Sequence, residues 1–483
     1  MDQLSQWITT IDEWVWGLPL ILFILAVGIL LSVRLKFVQI RQLPKAFRFT
    51  FQDETGVKGE ISSFGSLCTA LSATIGTGNI VGVATAIGIG GPGALFWMFV
   101  AAFLGMATKY AEGLLAVKYR EVSKSGHTLG GAFYYIERGM GKKFKCLAKM
   151  FAFFGAGAGL LGVGTFAQVN GIAKAVEDFF DPQKTMTISL FGYSFSTIIL
   201  ITSLLVTLFV ALVLIGGIKR ISSVSEILVP FMTLTYLLCC FLTLGVNIKS
   251  IPNAVGEILS GAFTGTAAIG GFAGSTLRSA MQKGVARGIF SNEAGLGSAT
   301  MVAAAAKTNW PAQQGLVSML GTLIDTIVIC SLTGLCIITS GAWHAEGIEG
   351  VLVTSKAFQT GFFFAPTVGQ FLLMICLVFF AFTTILGWNY YGERCIEYLS
   401  HKKKKVVLIY RWLYILAVFV GPFLSVELVW NIADIFNGLM AFPNLIALVA
   451  LNGVVVTESK KFFDHLKENS KDSLKTYAKK HIS

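Results

Sequence analysis

Ser72-Ala-Thr-Ile-Gly-Thr-Gly-Asn-Ile-Val-Gly82 interrupts an apolar run with three glycines, two threonines and an asparagine. Inside a helix each glycine costs about 1 kcal/mol relative to alanine. In lipid, backbone that leaves the helix needs new partners, so it persists only where it lines a protected cavity. There it frees carbonyl oxygens that suit a hard cation or an ammonium. It also opens a half-helix N-terminus whose N–H groups suit a carboxylate. A zwitterion with a small cation is the matching ligand set. Such glycines can also serve close helix packing alone, but a second interrupted run favours a site: Gly261-Ala-Phe-Thr-Gly-Thr-Ala-Ala-Ile-Gly-Gly-Phe-Ala-Gly-Ser275.

The surrounding chain reads as an all-α integral membrane protein. Its 483 residues are 54% hydrophobic and 13% charged, against about 25% charged in soluble domains. Apolar runs near 20 residues recur, each long enough for a hydrocarbon core of about 30 Å. Eleven spans are expected, near 18–36, 64–89, 93–117, 148–173, 195–217, 223–247, 255–281, 312–341, 365–395, 407–427 and 428–456. With the N-terminus outside, this pattern puts 33 of the 38 Lys and Arg in segments facing the cytoplasm. The net charge of +12 therefore matches anionic lipid and not nucleic acid. No Lys or Arg precedes Arg34, so no basic n-region of a signal peptide is seen and the first span is expected to be retained.

The two broken runs are the second and seventh spans. Five apart, they cross in opposite directions, the arrangement of inverted repeats around a central site. The expected organisation is one transmembrane domain over 1–483. It comprises an extra helix at 18–36, a first repeat at 64–247, a second at 255–456 and a cytoplasmic tail at 457–483.

Other chemistries lack their residues. Gly88-Ile-Gly-Gly-Pro-Gly93 and Gly157-Ala-Gly-Leu-Leu-Gly162 match G-x-G-x-x-G, but neither follows a strand in a βαβ unit. No P-loop supplies an ATP engine, and no H-E-x-x-H or Cys/His cluster supplies a metalloenzyme centre. The eight cysteines read as packing residues. No catalytic constellation and no cofactor are expected, apart from a co-transported cation.

Several ordered blocks resemble the alanine or glycine:cation symporter family. They are Gly90-Gly-Pro-Gly-Ala-Leu-Phe-Trp-Met-Phe-Val-Ala-Ala-Phe-Leu-Gly105, Ser291-Asn-Glu-Ala-Gly-Leu-Gly-Ser298, Asp325-Thr326, Gly387-Trp-Asn-Tyr-Tyr-Gly-Glu393 and Val429-Trp-Asn-Ile-Ala-Asp434. The family usually carries Trp where this chain has Phe99. The resemblance implies a LeuT-type fold, a five-plus-five inverted repeat with an extra N-terminal helix, in the plasma membrane. It implies import of alanine or glycine by symport with sodium.

By that likeness Gly76, Thr77 and Gly78 would hold the substrate carboxylate. Carbonyls near Ala73 and Thr74, with Gly270 and Gly271, would receive the ammonium, and Gln168 would touch the substrate. Sodium would lie among Ser72, Ile75, Thr383 and Thr384. Trp388, one turn beyond Thr384, would limit the pocket to small side chains. Each has a simpler reading: Thr back-bonding to its own helix, Trp388 in an interfacial belt, Gln168 as interhelical glue. Asn79 either ligates an ion or caps the half-helix. Asp325 and Asp434 are in-span charges with ion, proton or structural roles open. Lys109 and Glu112 share a helix face, where snorkelling and local pairing account for them. The rivals are a proton-coupled carrier, a carrier of glutamine or serine, a channel and a membrane enzyme. The residues do not fix the oligomeric state.

Overall fold

A backbone in hydrocarbon must satisfy its own hydrogen bonds, and the apolar runs accordingly fold as helices. The computed structural model describes residues 2–52, 56–123, 126–190, 193–263 and 277–481. Among the described residues nine helices are long and apolar enough to cross a membrane. Ser63–Thr74 and Gly78–Gly90, bent by 56° at the break, make a tenth when counted as one span. Strand is confined to two small hairpins, Glu121–Val122 with Thr128–Leu129 and Thr187–Leu190 with Tyr193–Ser196. Residues 264–276, with the expected break at Gly270 and Gly271, lie outside the described residues.

The helices used below are α1 (Asp2–Val15), α2 (Leu18–Arg34), α3 (Ser63–Thr74), α4 (Val83–Gly90), α5 (Gly93–Lys118), α6 (Lys145–Leu161), α7 (Phe166–Phe180), α8 (Gly217–Val246), α9 (Leu277–Asn292), α10 (Thr300–Ala305), α11 (Pro311–Thr322), α12 (Pro366–Leu399) and α13 (Val426–His481). A π-helical turn, Gly78–Gly82, leads into α4, and a π-helical stretch, Leu323–Cys330, follows α11.

Three expectations are corrected here. The fourth span, expected unbroken over 148–173, divides into α6 and α7. Gly162 and Thr165 leave helical geometry at φ −116°, ψ −129° and φ −129°, ψ −75°. At Gly164 a Cβ would stand 2.6 Å from the Trp388 Cβ, so α12 approaches this break as only glycine permits. The tail expected as a separate part from 457 instead continues helix α13 without a break, and its first turns are packed. Phe462 is buried against Trp310, and the Ser459 and Tyr110 hydroxyls are 2.7 Å apart.

The third correction concerns α9, which runs alongside α5 in the same direction. Ala280 lies against Gly90, Gly284 against Ala94, and beyond the helix Ala294 lies against Gly105. Arg278, Lys283 and Arg287 therefore belong to the end of the molecule that holds the start of α5. They had been counted at the other end, with Lys118 and Arg120. Arg287 finds its counter-charge there: its guanidinium meets both carboxylate oxygens of Asp434 at 2.8 and 3.2 Å. The Asp434 carbonyl accepts the Trp16 indole N–H at 2.8 Å. Asp434 is thus a structural tie between α9, α13 and the N-terminal segment.

At the basic end, Arg120 donates to four main-chain carbonyls: Ala304 at 2.8 Å, Ala306 at 2.6 Å, Lys58 at 2.9 Å and Thr308 at 2.7 Å. Beside it His127 lies between two carboxylates, Nδ1 3.4 Å from Glu60 and Nε2 3.3 Å from Glu397. Arg394 stands 2.8 Å from the same Nε2 and opposes the charge, but two carboxylates outweigh one guanidinium. The hydrogen bonds to Glu397 and Glu60 push the imidazole up to about 9. A raised pKa contributes stability that is full below the unfolded value of about 6.5 and is lost as pH rises through the folded one. Wild type should therefore melt above a His127→Gln variant at pH 6, with the gap closing as pH passes about 9. A gap unchanged from pH 6 to 10 would refute this assignment.

Candidate functional site at the helix break

Thr74 ends α3 and Gly78 begins the π-helical turn, leaving the Gly76 and Thr77 amides and the Ile75 carbonyl to be satisfied by side chains. The Gly76 amide donates to Asn79 Oδ1 at 2.9 Å, and the Thr77 amide to Gln168 Oε1 at 3.0 Å. Gln168 is held in turn by its Nε2, which donates to the Val163 carbonyl at the break between α6 and α7. The Ile75 carbonyl accepts the Thr384 hydroxyl from α12 at 3.1 Å. A single unwound turn thus presents two N–H groups and a carbonyl to side chains. Gly76 is where the partners converge: a Cβ there would lie 2.7 Å from Thr384 Oγ1 and 2.8 Å from Gln168 Oε1.

Ile75, Gly76, Thr77, Asn79, Gln168 and Thr384 are therefore brought together. Thr383 is not. Its hydroxyl donates to Phe380 at 3.0 Å and faces the Met232 sulfur of α8. The side chains of Ser72 and Thr74 bond back to Thr69 and Leu71 of their own helix, as threonine and serine do in membrane helices. Gly78 lies against Phe290 of α9. Gly270 and Gly271 lie outside the described residues.

Asn79 is both cap and bridge. While Oδ1 caps Gly76, Nδ2 donates to the Asp325 carboxylate at 2.8 Å and to its carbonyl at 3.1 Å. Asp325 also accepts the Ser291 hydroxyl at 2.7 Å and that of Thr326 at 2.6 Å. A buried carboxylate here is a hub joining the first break to the end of α9.

The segment that continues α9 departs from helix: Glu293 has φ +57°, Gly295 φ +90° and Gly297 φ +75°. The left-handed region is costly for a glutamate and persists where its surroundings hold it. Glu293 Oε1 accepts the Trp388 indole N–H at 2.8 Å, and Oε2 accepts the Ser298 hydroxyl. Trp388 is wholly buried, edge-on to Tyr391 and backed by Gly164. An interfacial belt position is ruled out by that burial. Glu293 had no role assigned from sequence. An acidic residue within Asn-Glu-Ala-Gly-Leu-Gly, in a chain with 26 acidic residues, was the available signal.

Lys109 and Glu112 do not snorkel, contrary to expectation. Both are buried, because Ala294, Gly295 and Gly297 pack against this stretch of α5. The Lys109 ammonium has no hydrogen-bond partner among the described residues. Those residues also hold no group of three His, Cys, Asp or Glu able to bind a metal ion.

The model of the sodium:alanine symporter family matches residues 1–476. The sodium/alanine symporter AgcS of Methanococcus maripaludis is 46% identical, over 98% of this chain and 100% of that one. An uncharacterized transporter of Haemophilus influenzae is 49% identical, over 96% and 97%. The probable sodium/glutamine symporter GlnT of Bacillus subtilis is 35% identical, over 96% and 91%. Among solved structures, MhsT in complex with L-phenylalanine superposes with a TM-score of 0.57 at 16% identity, covering 84% of this chain and 93% of that one. The fold is LeuT-like.

Proposed function

The chain belongs to the sodium:alanine symporter family, and from that premise we propose that it imports alanine or glycine with sodium by alternating access. At the coarser level it is a sodium-coupled amino-acid symporter in a membrane, and not an enzyme. The finer reading rests on one observation above others. The unwound turn at Ile75–Thr77 offers two N–H groups and a carbonyl, met by Asn79 of its own span, Gln168 of α7 and Thr384 of α12.

The Gly76 and Thr77 amides are the carboxylate donors in this reading, with Gly78 opening the half-helix behind them. Both now bond to neutral amide oxygens; a carboxylate is the stronger acceptor and would replace them. Carbonyls near Thr74, with Gly270 and Gly271, receive the ammonium. Sodium takes the Ile75 carbonyl and the Thr384 hydroxyl, with carbonyls around Ser72 completing the set; Thr383, turned to Phe380 and Met232, is left out of it. Sodium thereby ties α3 to α12, and it drives transport through its different affinity for the two states. The burial of Trp388 beside the break between α6 and α7 supports its role in limiting side-chain size. The eleven-span, five-plus-five organisation, the N-terminus outside and the cytoplasmic C-terminal helix belong to the same proposal.

The test is uptake of labelled alanine into proteoliposomes under imposed sodium, potassium or proton gradients, with excess glycine, serine or glutamine as competitors. Accumulation driven by inward sodium alone, competed by glycine, is expected. Thr384→Ala should raise the sodium concentration for half-maximal uptake at least tenfold, about 1.4 kcal/mol. Accumulation driven by protons alone, or an unaltered sodium dependence in this variant, would overturn the site.

A further inference from the structure

Lys109 lies within α5, 3% exposed, and its ammonium is out of reach of water and of any hydrogen-bond acceptor among the described residues. Three buried carboxyl groups from three elements belong to the same core: Glu112, one turn along α5, Glu293, in the segment after α9 that covers this stretch, and Asp325 in the π-helical stretch bonded to the end of α9. The hydrogen bonds that reach each carboxyl group are donated to it. Glu112 Oε1 takes the Gly295 and Gly297 amides at 3.1 Å each and Asn444 Nδ2 at 2.7 Å. Its Oε2 has no hydrogen-bond partner among the described residues. Glu293 takes the Trp388 indole and Ser298; Asp325 takes Asn79, Ser291 and Thr326.

The core thus sets three buried carboxyl groups against one ammonium. Buried charge that is not compensated is strongly unfavourable. The carboxyl groups are also wired to the helix break: Asp325 bonds to Asn79, and Asn79 bonds to the Gly76 amide. A cation arriving at the break therefore meets the net charge of this whole network.

We propose that Lys109 is a resident internal cation that tunes sodium affinity, holding the core negative enough to attract sodium and weakly enough to release it. The proposal rests on sodium being the coupling ion, as argued above. A lysine tethered to the rigid α5 cannot leave with the substrate, so it sets a fixed offset against which the mobile ion binds. An unpartnered ammonium fits that role: it is placed to act through its field and not through one bond.

The experiment is sodium-titrated alanine uptake by the full-length protein in proteoliposomes, paired with sodium-induced thermal shift of the detergent-solubilised protein. Removing the positive charge in Lys109→Met should lower the half-maximal sodium concentration roughly tenfold, the order expected for unit charges about 10 Å apart at an effective dielectric constant near 20. Slower sodium release should reduce maximal uptake in the same variant. Glu112→Gln should shift the sodium dependence about as far the other way. The double variant should return towards wild type, and Lys109→Arg, which keeps the charge, should retain the wild-type value. A packing role for Lys109 would lower yield or melting temperature and leave the sodium dependence in place. If Lys109→Met does not fold, the direction of the Glu112→Gln shift decides by itself. Wild-type uptake that ignores sodium would overturn the coupling reading and this proposal together. Sodium-driven wild-type uptake with variants unmoved within twofold would overturn this proposal alone.

Discussion

Gly76→Ala is expected to cut sodium-driven uptake by about 30-fold or more while leaving a folded, monodisperse protein. The added Cβ would stand 2.7 Å from Thr384 Oγ1 and 2.8 Å from Gln168 Oε1. Neither neighbour yields cheaply. Gln168 is pinned at both ends of its amide, by the Thr77 N–H and by the Val163 carbonyl. Thr384 is fixed to Ile75 and to Phe380 of its own helix. Overpacking of this kind costs about 2 kcal/mol, a factor near 30 if it falls wholly on the loaded state. The strain lies where the proposed sodium and carboxylate contacts converge, so it should appear in transport more than in folding. Uptake together with a melting curve makes the distinction. Near-normal uptake in a well-folded Gly76→Ala protein would place the substrate elsewhere.

Asp325→Ala should have the largest effect on stability. It leaves Asn79, Ser291 and Thr326 with buried donors and no carboxylate to receive them. Asn79 keeps the main-chain carbonyl of residue 325 and Ser291 the Cys330 sulfur, but three buried donors lose their best acceptor, and each one left unsatisfied costs about 1–3 kcal/mol, a large effect for a point substitution. Fluorescence-detected size exclusion after heating is the direct readout, and a marked fall in apparent melting temperature is expected. Asp325→Asn keeps the volume and one acceptor oxygen. It should recover much of the stability but not transport, because the network loses a charge. Equal melting of wild type and Asp325→Ala would show that Asp325 is not the hub its contacts describe.

Much of this organisation was legible in the sequence because hydrocarbon imposes strict rules. Apolar length marked most spans, and the Gly-Thr-Gly-Asn run marked the break, since no other use of those residues agrees so well with the cost of unwinding in lipid. Asn79, Gln168 and Thr384 were legible as polar side chains on otherwise apolar faces. Less visible was anything set by the approach of distant elements. Thr383 and Thr384 are adjacent and chemically identical, and only the packing of α12 on α3 and α8 separates their partners. Lys109 and Glu112 read as snorkelling because their spacing suits it, whereas the glycine-rich segment after α9 covers them. The basic residues of α9 were assigned to the wrong end because charge bias counts residues without knowing that Asp434, far along the chain, supplies Arg287 with a partner. The division of the fourth span was hidden in glycines that periodicity treats as neutral.

Among the described residues Arg120 holds the basic end together through four carbonyl oxygens of the main chain. A clasp addressed to the main chain is blind to the identity of what it grips. Lys58, Ala304, Ala306 and Thr308 can therefore drift in sequence without loosening it, provided their backbone path is kept, whereas Arg120 has no such freedom. Lysine in its place would bring one compact ammonium to a task that uses two arms of a planar fork. The mutational burden of closing this end of the carrier thus falls on one codon, and the loops it fastens are left free to vary.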